Sequence, residues 1–293
     1  MNSDVSLIIG LVMLAIMFVV QYLTRKVTNS VVTRTVSGVI LILIALIVII
    51  RGSWLLYAVC FVLSMIGLYE FYRALGVHQK GGVTGLEVAG TAGAVLYYLS
   101  VIPESAKSEL MSIVAGLILV LSVYVFTFPK YEVGQVLAAF TGIVYVAVML
   151  SFVYRTRMLD DGNYLVWLIF ISSWGCDTCA YCFGRLFGKH HMTPVLSPHK
   201  TVEGAIGGVA GAAVLGLLYG LFLGEEAGAY TAISAAGALI SMIGDLSASA
   251  IKRNAGIKDY GTLIPGHGGV LDRFDSVIFT APVIYFMAQC LPL

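Results

Sequence analysis

Long apolar runs recur from one end of this chain to the other, and their length constrains the fold more than any other feature. About 20 residues of helix, rising 1.5 Å each, cross a hydrocarbon core of about 30 Å. Runs of roughly that length fall near Val5–Leu23, Val36–Ile50, Trp54–Tyr72, Thr84–Ile102, Leu110–Phe128, Val133–Val153, Tyr164–Phe183, Ala205–Leu223, Ala229–Ile251 and Asp272–Leu291. The second is short unless it begins near Thr33. The expectation is an all-α polytopic membrane protein of about ten transmembrane helices, with nine as the alternative count. Composition agrees, since 59% hydrophobic and 11% charged residues lie outside the range of soluble globular chains. The first run has Asp4 before it and no small-x-small site ahead of Arg25-Lys26, so it reads as a retained span and not a cleaved leader.

Orientation in a bilayer follows Lys and Arg in short loops. Connectors one, three, five, seven and nine, counted with Arg273 at the edge of the last, hold 13 of these residues, against four on the other side, Arg51, Lys107, Arg155 and Arg157. The odd connectors are therefore expected in the cytoplasm. The formal net charge of +1 says nothing of partners, and no nucleic acid is expected among them. No long soluble stretch or repeat interrupts the pattern. The chain reads as a single membrane domain, 1–293, with residues 1–160 as helical scaffold and 161–293 carrying the chemistry. Glu70, at the end of the third run, reads as a snorkelling helix-end residue in preference to a lipid-headgroup contact.

Charge is concentrated in one stretch, Ser249–Asp275. Its 27 positions hold Lys252, Arg253, Lys258, Asp259, Asp272, Arg273, Asp275, His267 and five glycines. Cations beside a glycine-rich turn, Gly266 to Gly269, suit polyphosphate, because ammonium, guanidinium and exposed backbone N–H groups all address anionic oxygens. Asp272 and Asp275, three apart at the head of an apolar run, share one helix face, as a divalent metal requires. A solvated loop would account for the glycines and the charges separately, but not for Asp-Arg-x-Asp opening a hydrophobic segment.

This stretch resembles, along its whole length, the signature of the phosphatidate cytidylyltransferase (CDP-diacylglycerol synthase) family. Ser249, Lys252, Arg253, Lys258, Asp259, Gly261, Pro265, His267, Gly268, Gly269, Asp272, Arg273 and Asp275 each stand where that pattern places them. A second constellation is similar to the same family: Asp177-Thr178 with Ala180-Tyr181, then Gly184-Arg185 to Gly188-Lys189, then Ser197-Pro198, Lys200-Thr201 and Glu203-Gly204. Arg34 and Gly38 resemble a basic-then-glycine entry in the family.

The resemblance implies transfer of the cytidylyl group from CTP to phosphatidic acid, releasing pyrophosphate. Asp245, Asp272 and Asp275 are then expected to hold Mg²⁺, with Asp177 on a second cation or behind the ligands. Lys200, Lys252, Arg253, Lys258 and Arg273 are expected to clamp phosphates. Ser197, Thr201, Gly268 and Gly269 are expected at the substrates, and His267 in the chemistry. Depth supports the carboxylates independently: Asp177 and Asp245 lie on the order of 20 and 24 Å from the outer side of the core, near the cytoplasmic face. An active site facing the cytoplasm follows, in the inner membrane if the source is bacterial. A homodimer is neither required nor forbidden.

Cys176, Cys179 and Cys182, with His190 and His191 nearby, invite a zinc or iron–sulfur reading. Successive steps of three turn the first and third about 120° apart on a helix, so the cysteines read better as space-filling. Two other functions stay open at this point. A CTP-dependent kinase of a polyprenol or phytol-like alcohol is similar in its last spans, and a cation transporter also places carboxylates in spans but has no need of a basic glycine-rich loop.

Overall fold

The computed structural model describes residues 43–79, 81–102, 105–264 and 268–291. The expected run at Val5–Leu23, the first part of Val36–Ile50 and the Arg34–Gly38 entry lie outside the described residues. Residues 43–51 are helical. Then follow α1 (Ser53–Ala74), α2 (Gly85–Val101), α3 (Ala106–Phe126), α4 (Val133–Arg157), α5 (Gly162–Phe187), α6 (Val202–Leu223), α7 (Ala227–Asn254) and α8 (Leu271–Cys290). Each coincides within a few residues with an expected apolar run. Among the described residues, six are long and apolar enough to cross a bilayer, all but α2 and α8; α2 is a shorter apolar helix. The chain is an integral membrane protein of helical build.

Two features were not expected. A short antiparallel hairpin, β1 (His191–Thr193) and β2 (Ser197–Thr201), joins α5 to α6. Helices α4 and α5 each widen into a π-helical stretch, at Ile143–Val148 and Ile171–Gly175. Such an insertion re-aims the side chains that follow it. In α5 the residues re-aimed begin with Cys176 and Asp177.

The described chain forms two compact units. One comprises the residues up to Ser151 together with Ile257–Arg273; the other comprises Phe152–Gly256 and the residues from Phe274 onward.

In the first unit, α2 and α3 meet almost backbone to backbone, since a Cβ on Gly93 would lie 3.0 Å from Gly116 Cα. Tyrosine hydroxyls join the buried helix faces: Tyr72 donates to Ala139 O at 2.6 Å, Tyr98 pairs with Ser64 at 2.7 Å, and Tyr97 with Ser151 at 2.8 Å. A hydroxyl taken from water needs such a partner. Thr84 and Glu87 form a capping box at the start of α2, and His78 closes on Glu87 at 2.8 Å. Gln135 donates to Gly76 O, Gly85 N to the Tyr131 hydroxyl, and Arg73 to Tyr260 O. The α1–α2 loop, the α3–α4 loop and the Ile257–Arg273 segment thus gather at one end of this unit. These are the third, fifth and ninth of the expected connectors.

In the second unit, α6 uses small residues on two faces. Cβ atoms on Gly207, Gly208 and Gly211 would enter Phe183, Cys176 with Ala180, and Cys179 of α5; on Gly216 and Gly220 they would enter Ser234 and Ala227 of α7. Without a hydrophobic drive between helices in lipid, this close approach supplies the packing. Tyr219 donates to Tyr164 O, which ties the end of α6 to the start of α5.

Candidate active site

The second unit brings Lys200, Asp245, Asp275 and Asp177 together. Helix α7 carries Gly244 just before Asp245, and a Cβ on Gly244 would lie 2.8 Å from the Asp275 carbonyl oxygen. The two helices therefore touch where their carboxylates are. Lys200, at the end of β2, forms an ion pair with Asp245. Asp275 is buried and takes the Ser276 N–H on Oδ1 at 2.9 Å. The charged groups acting on it are Asp245, Lys252 and Asp177. Asp177 is exposed, 3.5 Å from the Ser276 hydroxyl. Among these groups three carboxylates face two ammonium groups, a surplus of hard oxygen donors that suits a divalent cation. Among the described residues, no three Asp, Glu, His or Cys side chains stand close enough together to hold a metal ion as they are placed.

The signature turn belongs to the first unit. Ile264 N donates to Gly268 O at 2.9 Å, and Gly268 has φ +88°, which a side chain would strain. A Cβ there would also meet Asp272 Oδ2 at 2.8 Å. That oxygen accepts Tyr260 N–H at 2.8 Å and Gly269 N–H at 2.9 Å. The Gly269 N–H, expected to face phosphate, is thus donated within the turn, and Asp272 holds the turn closed. Lys258 and Arg273 are exposed at its two sides, with Arg253 exposed and Lys252 half-buried at the end of α7. His267 and Gly266 lie outside the described residues.

Residues 32–291 match the cytidylyltransferase family, and the match takes in both the carboxylate cluster and the turn. The chain belongs to the cytidylyltransferase family. Relatives named phosphatidate cytidylyltransferase from Staphylococcus saprophyticus, Staphylococcus epidermidis and Staphylococcus aureus are each 31% identical to it over 258 residues, covering 86% of this chain and 96% of theirs.

In this cytidylyltransferase much of the second motif is structural. Thr201 caps α6, its hydroxyl accepting Gly204 N–H at 3.1 Å. Glu203 accepts the N–H groups of Lys189 at 3.0 Å and His190 at 3.2 Å, and meets His190 Nδ1 at 2.5 Å. A Cβ on Gly188 would lie 2.8 Å from the Thr201 hydroxyl, and one on Gly204 would lie 3.1 Å from Gly184 Cα. The glycines are thus needed where α5 leaves and α6 begins. Of this motif, Lys200 is the side chain that reaches a carboxylate of the cluster, while Ser197 opens β2 half-buried.

Glu70 does not snorkel. It is 4% exposed and accepts the N–H groups of Val270 at 3.0 Å and Leu271 at 2.9 Å. Sequence reading missed this because 200 residues separate the partners. One signal was present: Val270 stands just before α8 and has no side-chain acceptor to offer the helix start, so the cap has to come from elsewhere.

The three clustered cysteines turn different ways. Cys176 is fully buried against Ala212 and Ala238, Cys179 is half-buried and Cys182 exposed. Replacing all three by alanine is expected to leave most of the turnover in place. Loss of turnover together with loss of bound zinc or iron would show instead that they hold a metal.

Proposed function

We propose that this enzyme transfers the cytidylyl group of CTP to phosphatidic acid, giving CDP-diacylglycerol and pyrophosphate. The relatives' name supplies the substrates. The observation in this chain that supports the reading is the meeting of Lys200 and Asp245 with Asp275, where α7 and α8 touch.

A phosphate oxygen of phosphatidic acid attacks the α-phosphorus of CTP; that P–O bond forms as the bond to the bridging oxygen breaks, and pyrophosphate leaves with the electron pair. The lipid phosphate is already an anionic nucleophile, so no side chain need form a covalent intermediate. The work is positioning and charge compensation. Lys200 and Lys252 address phosphate oxygens from the hairpin and from the end of α7, with Arg253, Lys258 and Arg273 as further cations. Asp245 and Asp275, with Asp177 beside them, would hold Mg²⁺, which when bound neutralises charge on the departing pyrophosphate. Asp272, placed in the metal set on sequence grounds, acts through the turn that it holds.

The fuller topology is part of the same reading: ten spans, odd connectors in the cytoplasm, and a cytoplasmic site reached by nucleotide from water and by lipid from the bilayer. Single cysteines at Val195 and Thr262, in a cysteine-free background, are expected to react with an impermeant thiol reagent from the same, cytoplasmic, side. Labelling from opposite sides would break this topology.

The position of the label decides the reaction. With CTP labelled at the α-phosphate, label is expected in a lipid that forms only with phosphatidic acid. Label from the γ-phosphate appearing in a polyprenol-like alcohol would make the enzyme a kinase, and no labelled lipid with either substrate would remove the transferase reading.

A further inference from the structure

We propose that Glu70, in the scaffold half of the chain, is a positioning residue for cytidylyl transfer, acting through the signature turn and the first turn of α8. The first N–H groups of a helix have no partner inside it, and they carry the positive end of the helix dipole. Most helices satisfy them with a local Ser, Thr, Asp or Asn. In α8 the cap position is Val270, and the acceptor is the Glu70 carboxylate on α1, one oxygen to each of Val270 N and Leu271 N.

Two signature glycines are explained by the same contact. A Cβ on Gly261 or on Gly269 would run into the Glu70 carboxylate. The glycines there make room for an acid arriving from α1. One helical turn further along α1, Arg73 donates to Tyr260 O, at the other end of the turn. Helix α1 therefore grips the turn twice, by a carboxylate on its C-terminal N–H groups and a guanidinium on its N-terminal carbonyl. Between these grips lie the Ile264–Gly268 bridge and the Asp272 contacts with Tyr260 and Gly269. Exposed Arg273 follows directly. Glu70 has no need to touch substrate to matter. It holds the backbone from which Asp272 and Arg273 project.

This inference rests on the cytidylyltransferase reading for its activity readout. The test compares full-length wild type with Glu70→Gln, Glu70→Leu and Gly269→Ala, measuring kcat and KM for CTP and phosphatidic acid, and thermal unfolding in the same detergent. Glutamine keeps one carbonyl acceptor and the shape of the side chain; leucine keeps neither acceptor. The expected order is a fall in kcat of roughly tenfold for Glu70→Gln and of a hundredfold or more for Glu70→Leu, with KM for phosphatidic acid little changed. Gly269→Ala is expected to fall like Glu70→Leu, and adding Glu70→Gln to it to cost much less than the product of the separate losses, because both disturb one contact. If Glu70→Leu does not fold, the glutamine and alanine variants and their combination still decide the matter. Wild-type kcat in Glu70→Gln, or fully independent losses in the double variant, would overturn the positioning role while leaving the transferase reading intact. A wild-type protein that makes no CDP-diacylglycerol would overturn the transferase reading itself.

Discussion

Asp275→Asn is expected to lower the rate of CDP-diacylglycerol formation by about two to three orders of magnitude, the range typical when one group that compensates transition-state charge is removed. The side chain is buried, with Asp245, Lys252 and Asp177 as its charged surroundings. Asparagine keeps its volume and one carbonyl oxygen, so α8 should still pack on α7. What is lost is a unit of negative charge where a divalent cation is proposed to bind. The variant should purify normally and need more Mg²⁺ for half-maximal rate. Asp161→Asn, in the exposed α4–α5 connection, serves as the control and should keep the wild-type rate. A near-normal rate with unchanged Mg²⁺ dependence in Asp275→Asn would remove Asp275 from the metal set.

Lys200→Met carries the second large effect. Methionine preserves the length of the side chain and removes the ammonium, which leaves Asp245 without its ion-pair partner and the phosphates without a donor from the hairpin. Turnover is expected to fall by about a hundredfold, with KM for CTP raised as well, since a lysine that contacts the nucleotide contributes to ground-state binding and to the transition state. Lys200→Arg should restore the unit charge but not the point-like donor, and so recover only part of the turnover. Equal kinetics for Lys200→Met and wild type would mean that the ion pair with Asp245 is structural.

The helices were legible because bilayer thickness writes their length into the sequence, and eight of the apolar runs reappear as α1 to α8. The hairpin was not legible, being three and five residues with His, Pro and Lys and no alternation to mark it. The π-helical stretches were hidden too, since Ile143–Val148 and Ile171–Gly175 are as apolar or as small as their neighbours. At the site, Lys200, Asp245 and Asp275 were all singled out in the sequence, but Lys200 was expected on phosphate, and its ion pair with Asp245 was not foreseen. What spacing left open was the division of labour within the motifs. Thr201, Glu203 and Gly188 sit inside a family signature, yet their observed contacts are a helix cap, a loop clasp and a close approach. Spacing cannot distinguish an oxygen aimed at substrate from one aimed at a backbone N–H. Glu70 shows the opposite case: it stands far from either motif in the sequence, and only the packing of α1 against the turn reveals what its carboxylate does.

The central claim is a direct transfer between CTP and phosphatidic acid, and its most direct measurement is product stoichiometry. Protein reconstituted in vesicles containing phosphatidic acid, given CTP and Mg²⁺, should release one pyrophosphate for each CDP-diacylglycerol formed, with neither product appearing when phosphatidic acid is left out. Pyrophosphate released without lipid acceptor, or CDP and a phosphorylated lipid in place of these two products, would contradict the account.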